Sequence, residues 1–565
     1  MVTSLLKRLT VGTALTLAFA APARATDAIE QAKTFRGLFL GALPEEARAS
    51  RFTHFLPDPN LASAVDAGSL ATAMSQTKGS SIDSLILFTD GNGATAPVDV
   101  DAILRKKPVT MVIVPGIFGE FIQVRPFEDV LEKDSAFKKD FEAKVQAALA
   151  ANSKDARDLT YVSSKLSFEN RELDQLVHVG SIDDSQGRPL VRVVMLYAPF
   201  ASLETLGDNA KRAAMLNRRL EKYLALTGEQ DVVLVGYSRG TSFALDMVAK
   251  AEKQKKPWLS KLRGLVAMNG VIWGSTTADQ TADPNEKASK ALQFMKSYVD
   301  ELQPIDVLAG GGPRWIPAHL RPLNASQLAQ IARNTAAHAR FAANMLTLGV
   351  SGAPVGGGDD GLARSYMSVD FMGQAVLLQR FLDEMGLKDP RRFFGEYSDN
   401  IRRAKHLVRA ALTGIDQLRT ESRENWFKSN TLPTSVRYYA ITSAMANPGD
   451  SPLSLEAFSN PITYAAGSFE DTYLLQNRNN YAKASGVALN DSQVAIPQAS
   501  FLPKAILALN PRQKPLDTKF LGVLNSHHWG DVLRIVFPLR DGRVNAFPRE
   551  ALLKALAAQV SKDIQ

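Results

Sequence analysis

Short apolar runs closed by turn formers alternate with stretches of helical periodicity through the first half of the chain. The run Val109-Thr110-Met111-Val112-Ile113-Val114 is rich in β-branched residues and ends in Pro115-Gly116. A run of that length and composition reads as a strand buried on both faces. Comparable runs lie at 191–197, stopped by Pro199, at 231–235 and at 262–268. Between them, 127–150, 209–226 and 241–252 read as helices. In the second of these, Ala213, Leu216, Leu220, Tyr223 and Leu224 recur at helical spacing. The alternation predicts an α/β protein: a mostly parallel sheet with helices on both faces.

The alternation stops near 276. Residues 276–430 read as mostly helical, broken by a Gly-rich stretch at 349–361 that predicts a loop. Strand patterning resumes at 436–441 and 520–524, and a last helix is expected over 549–561. One sheet interrupted by a large helical insertion accounts for this order. Two independent domains meeting near 276 would leave the late strands without a sheet. The predicted division is therefore 1–25 leader, 26–105 N-terminal extension, 106–275 first part of the core, 276–430 helical cap insertion and 431–565 second part of the core. The extension is weakly patterned, with one early strand expected at 84–88.

The N-terminus changes the picture of where the chain works. Lys7 and Arg8 precede an apolar run from Leu9 to Ala21, and Ala23-Arg24-Ala25 offers small residues for cleavage. This pattern predicts a secretory signal, a mature chain starting near Thr26, and a periplasmic or secreted product. The run is too short to span a bilayer, and no later segment has the length and apolarity to do so. The chain has no cysteine, which excludes disulfides, a thiol nucleophile and a thiolate metal site. Its formal charge of +8 falls to a mild excess once the basic leader residues are removed. That excess suits transient contact with anionic or lipid surfaces. It lacks the dense basic footprint of a nucleic-acid binder. No metal-binding spacing, phosphate loop or cofactor motif is present.

The candidate chemistry centres on Gly236-Tyr237-Ser238-Arg239-Gly240, the one G-x-S-x-G in the chain. An apolar strand runs into it and a helix runs out, the setting this motif requires. The glycines leave room for a sharp turn, and the following helix start brings backbone N–H groups beside the serine hydroxyl. On these residues the chain resembles the α/β-hydrolase superfamily, and lipases and esterases within it, over about 106–275 and 431–535. The resemblance implies a serine nucleophile, Ser238, and an oxyanion hole made by the N–H groups of Arg239 and of Ile117 or Phe118, in the loop after 109–114. That loop has Pro115 where the family often has histidine.

The resemblance also implies the order serine, acid, histidine. Of the seven histidines, His527 and His528 alone lie beyond the resumed strands. His528, followed by Trp529-Gly530, fits the family arrangement better. Asp450, Asp471 and Asp491 are available as the acid. The loop Asn490-Asp491-Ser492-Gln493-Val494 favours Asp491, with the role of holding the imidazole in one tautomer. The helical insertion stands where the family carries a cap. Trp273, Trp315 and Trp426 are candidates for an acyl pocket beneath it, or for ordinary core. What the resemblance implies is hydrolysis of a carboxylic ester, lipid- or polyester-like, without a cofactor. An acyltransferase using the same residues, or a binding protein on a hydrolase scaffold, are the alternatives.

Overall fold

A computed structural model describes residues 25–45, 55–56, 95–116, 126–151, 160–162, 173–175, 177–196, 208–284, 287–304, 324–351, 401–402, 405, 409, 412–444, 490–491, 493–526, 528, 530–532 and 547–564. The leader, the expected strand at 84–88 and most of the Gly-rich stretch lie outside them. The strands are β1 (Phe55–Leu56), β2 (Val109–Val114), β3 (Thr160–Val162), β4 (Leu173–Gln175), β5 (Val177–Asp183), β6 (Pro189–Leu196), β7 (Val232–Tyr237), β8 (Leu262–Met268), β9 (Arg437–Ala444) and β10 (Asp517–Asn525). Helices of the first half are α1 (Ala25–Ala42), α2 (Val100–Lys106), α3 (Glu128–Leu131), α4 (Ala136–Ala150), α5 (Asn209–Thr227) and α6 (Arg239–Gln254). Those of the second half are α7 (Thr276–Ala282), α8 (Lys287–Glu301), α9 (Ala325–Ser351), α10 (Thr420–Ser429), α11 (Pro503–Leu509) and α12 (Arg549–Asp563).

The main sheet has eight strands in the order β1-β10-β9-β8-β7-β2-β6-β5. From β10 to β6 all neighbours are parallel, while β1 and β5 close the edges antiparallel. The expected α/β class, with its mostly parallel sheet, is therefore the observed one. The antiparallel β5–β6 hairpin is an addition: its first strand, with polar His178 and Ser181 among apolar residues, does not stand out as an uninterrupted run.

Strand pleat divides the core into two layers, because alternate side chains leave opposite faces. Val109, Met111 and Ile113 of β2 join Val233, Val235 and Tyr237 of β7 on one face, where α1, α2 and α12 pack. Val112 and Val114 join Val232 and Leu234 on the other, under α4, α5 and α6. The N-terminal helix is thus part of the core: Phe35 and Phe39 are fully buried in the first layer. The expected single helix at 127–150 is instead two. Ser135 caps the second, its hydroxyl accepting from the Lys138 N–H at 3.2 Å, so the chain restarts a helix there. Between β8 and β9, the described residues of the insertion are helical, in α7, α8, α9 and α10.

Parallel order puts the carboxyl ends of β2, β7, β8, β9 and β10 along one edge. Val114 pairs with Gly236, Tyr237 with Met268, Met268 with Ile441, and Asn525 with Ala444. Loops leaving open α/β sheets at that edge are where ligand sites form.

Candidate active site

Ser238 stands between the end of β7 and the start of α6 with φ 54° and ψ −129°. A non-glycine residue in that region carries strain of order 1–3 kcal/mol, sustained only where the surroundings fix it. Here they do. The Ser238 N–H donates to the Met268 carbonyl at 3.0 Å, and its own carbonyl accepts from Thr241 and Val271, each at 3.1 Å. A Cβ on Gly236 would lie 2.5 Å from the Thr241 Cα, and one on Gly240 would collide with the Val114 carbonyl. Both glycines are required by the tightness of the bend. Ser238 is partly exposed, while Tyr237 and Arg239 on either side are buried.

The imidazole of His528 meets that hydroxyl. His528 Nε2 lies 2.9 Å from Ser238 Oγ, and His528 Nδ1 lies 2.6 Å from Asp491 Oδ2. Both His528 and Asp491 are 1% exposed. Asp491 is held from its other side: Oδ1 accepts the N–H groups of Gln493 and Val494 at 2.9 and 2.7 Å. A bridge between Asn490 and Ala495 closes the loop around it. The loop also binds the histidine's backbone, with the His528 N–H donating to the Asp491 carbonyl at 2.9 Å. The structure so brings together Ser238, His528 and Asp491 from three distant segments. An imidazole in that position can take a hydroxyl proton, and a carboxylate at its other nitrogen fixes the tautomer and stabilises the imidazolium.

Arg239, the second expected oxyanion donor, opens α6. Its side chain turns inward, where Nε and Nη2 donate to Asn209 Oδ1 at 3.2 and 2.9 Å. The guanidinium also lies 4.8 Å over the Phe243 ring. Burial lowers its pKa to about 9, against the opposing pull of Asp246 and Asp208. Its backbone N–H belongs to the first turn, at the positive end of the helix dipole. Gly116, at the end of the β2 loop, approaches the nucleophile so closely that a Cβ there would lie 2.8 Å from Ser238 Cβ. Ile117 and Phe118 lie outside the described residues, as do His527, Asp450, Asp471 and Trp315. Trp273 is core: its ring stacks on Phe427 at 4.5 Å and its Nε1 donates to the Ser500 carbonyl at 2.9 Å. Trp426 packs edge-on against the same Phe427 and donates to Asp246.

Sequence reasoning missed the groups behind His528. Tyr237 donates its hydroxyl to the His528 carbonyl at 2.8 Å. Asn269, at φ 45° just past β8, donates Nδ2 to the same carbonyl at 3.3 Å and to both oxygens of Asp531 at 3.0 Å. Ser443 of β9 donates to Asp531 Oδ2 at 3.0 Å. Burial chiefly pushes the Tyr237 hydroxyl far above its ordinary pKa, with Asp531 and Asp491 adding to it, so it remains a donor. Burial is also the main reason the Asp531 carboxyl is pushed up to about 7; Asp491 adds to the rise, while Ser443 and His528 oppose it. The signals available in the sequence were the position of Tyr237 immediately before Ser238 and of Asp531 three residues after His528.

No family model matches this sequence, and no curated protein is similar to it. Among solved structures, the chain is similar to a metagenomic carboxyl esterase, with a TM-score of 0.36, 14% identity, and coverage of 80% of this chain and 76% of that one. Among the described residues, no cluster of His, Asp and Glu is arranged to hold a metal ion.

Proposed function

We propose that this protein is an exported serine hydrolase that cleaves carboxylic esters, of lipid or polyester type, through Ser238, His528 and Asp491. The observation that carries this reading is the unbroken hydrogen-bonded line from Asp491 through His528 to a strained, partly exposed Ser238. A serine placed that way has little structural reason to bear its backbone strain. Export rests on the leader pattern alone.

In the proposed reaction, Ser238 Oγ attacks the ester carbonyl carbon as His528 Nε2 takes its proton. The N–H of Arg239, and that of Ile117 or Phe118 as the resemblance implies, stabilise the oxyanion, and Asp491 stabilises the imidazolium. Collapse expels the alcohol, which takes the proton from Nε2, and leaves an acyl group on Ser238. Water attacks the acyl carbon, again through His528, and frees the acid.

Hydrolysis of p-nitrophenyl esters of graded acyl length tests this. The wild type should turn over, with the preferred length identifying the substrate class. Ser238→Ala should lose at least about a thousandfold in kcat. Equal rates in the two would overturn the proposal. Added alcohol in the same assay would divert product to a new ester if the enzyme transfers acyl groups to alcohols.

A further inference from the structure

Resting on the hydrolase reading above, we propose that Asp531 is a second positioning carboxylate. Through Asn269 and the His528 carbonyl it fixes the imidazole between Ser238 and Asp491, and in its ionised form it stabilises the imidazolium formed during acyl transfer.

Asp531 is fully buried, in the loop that carries His528. Burying a carboxyl is costly unless it is paired or serves a function. Its immediate partners are neutral donors: Asn269 Nδ2 from the end of β8 and Ser443 Oγ from β9. An asparagine or serine could accept those bonds at lower desolvation cost, so the bonds alone do not account for an acid here. What a carboxylate adds is charge. The remaining titratable groups facing it are the Tyr237 phenol from β7, Asp491 across the imidazole, and His528 itself. His528 is the one among them whose positive charge favours ionised Asp531. Reciprocally, ionised Asp531 favours the imidazolium, and burial magnifies such an interaction.

Asn269 supplies the mechanical link. One amide nitrogen binds both the Asp531 carboxylate and the His528 carbonyl, while Tyr237 holds that carbonyl from another side. The backbone of Asn269 is left-handed, a conformation asparagine tolerates better than most residues. Two strand ends, those of β7 and β8, therefore converge on the histidine's carbonyl, and Asp531 ties the second of them to β9 through Ser443.

Asp531→Asn keeps the shape and an acceptor for Asn269 while removing the charge. Steady-state ester hydrolysis across pH should show kcat lower by about tenfold, the order of a hydrogen bond to a charged group, with KM within about twofold. The acid limb of log kcat should also become less steep, because one ionising group instead of two then governs it. A packing role alone would not change that slope. A folded Asp531→Asn enzyme with wild-type kcat, or with a limb of wild-type steepness, overturns the inference. If Asp531→Asn does not fold, Asn269→Gly decides: glycine accepts the positive φ and deletes the link, and kcat should again fall about tenfold. Wild-type kcat in that variant overturns the inference. Ser238→Ala in the same assay separates the two readings. If it keeps activity, the hydrolase proposal itself fails. If it is inactive while Asp531→Asn matches the wild type, only the inference about Asp531 fails.

Discussion

Ser238 holds its unusual backbone angles because two neighbouring segments bond to its main chain and two glycines clear the space around it. His528 is held at both ring nitrogens, at its backbone N–H and at its carbonyl. Removing the Asp491 carboxylate should therefore reduce turnover without unseating the imidazole. Asp491→Asn is expected to cut kcat by about a thousandfold or more while binding of a substrate analogue changes little, measured by kcat and by inhibitor Kd. At this scale Ser238 was legible because a motif and its flanks coincide within a few consecutive residues. The choice between His527 and His528 rested on resemblance, since adjacent side chains on one loop carry no pattern that says which faces the serine. Asp531 offered only its position three residues after His528. Its significance comes from Asn269 and Ser443, which reach it from other strands.

Among the elements, the bend between β7 and α6 has the least tolerance. Gly240→Ala would drive a methyl group into the Val114 carbonyl, and the obstacle is backbone that cannot rotate away. The variant should lose about 2 kcal/mol or more in denaturant unfolding, together with activity. At the opposite pole of legibility is α1. Its stretch of sequence is weakly patterned, yet Phe39 is fully buried and stacks with Phe547 at 6.5 Å. Phe39→Ala should cost about 3–5 kcal/mol, against a few tenths for a residue on a dispensable arm; urea unfolding would show the difference. Buried strands such as β2, β7 and β8 were readable because both faces are apolar. The hairpin strand β5 was not, because polar residues interrupt it and its pairing with β6 is a long-range fact.

For the molecule as a whole, the buried carboxyl of Asp531 links stability to pH. The folded protein retains that proton up to about pH 7, whereas an unfolded chain releases it near 4. Between those values the folded state binds more protons, so this group's contribution is complete below about 4 and is lost as pH rises through about 7. Urea unfolding of wild type and Asp531→Asn at several pH values should show the wild type losing stability relative to the variant across that window. A pH-independent difference would contradict the assignment. The general architecture, one mostly parallel sheet flanked by helices, followed from the order of runs along the chain.

The most direct test is covalent. The protein, incubated with a fluorophosphonate, is analysed by intact mass and peptide mapping. A single phosphonyl adduct on Ser238, absent from Ser238→Ala and slow to form in His528→Ala, is the predicted result. No adduct on the wild type, or an adduct on a different residue, would contradict the assignment of Ser238 as an activated nucleophile.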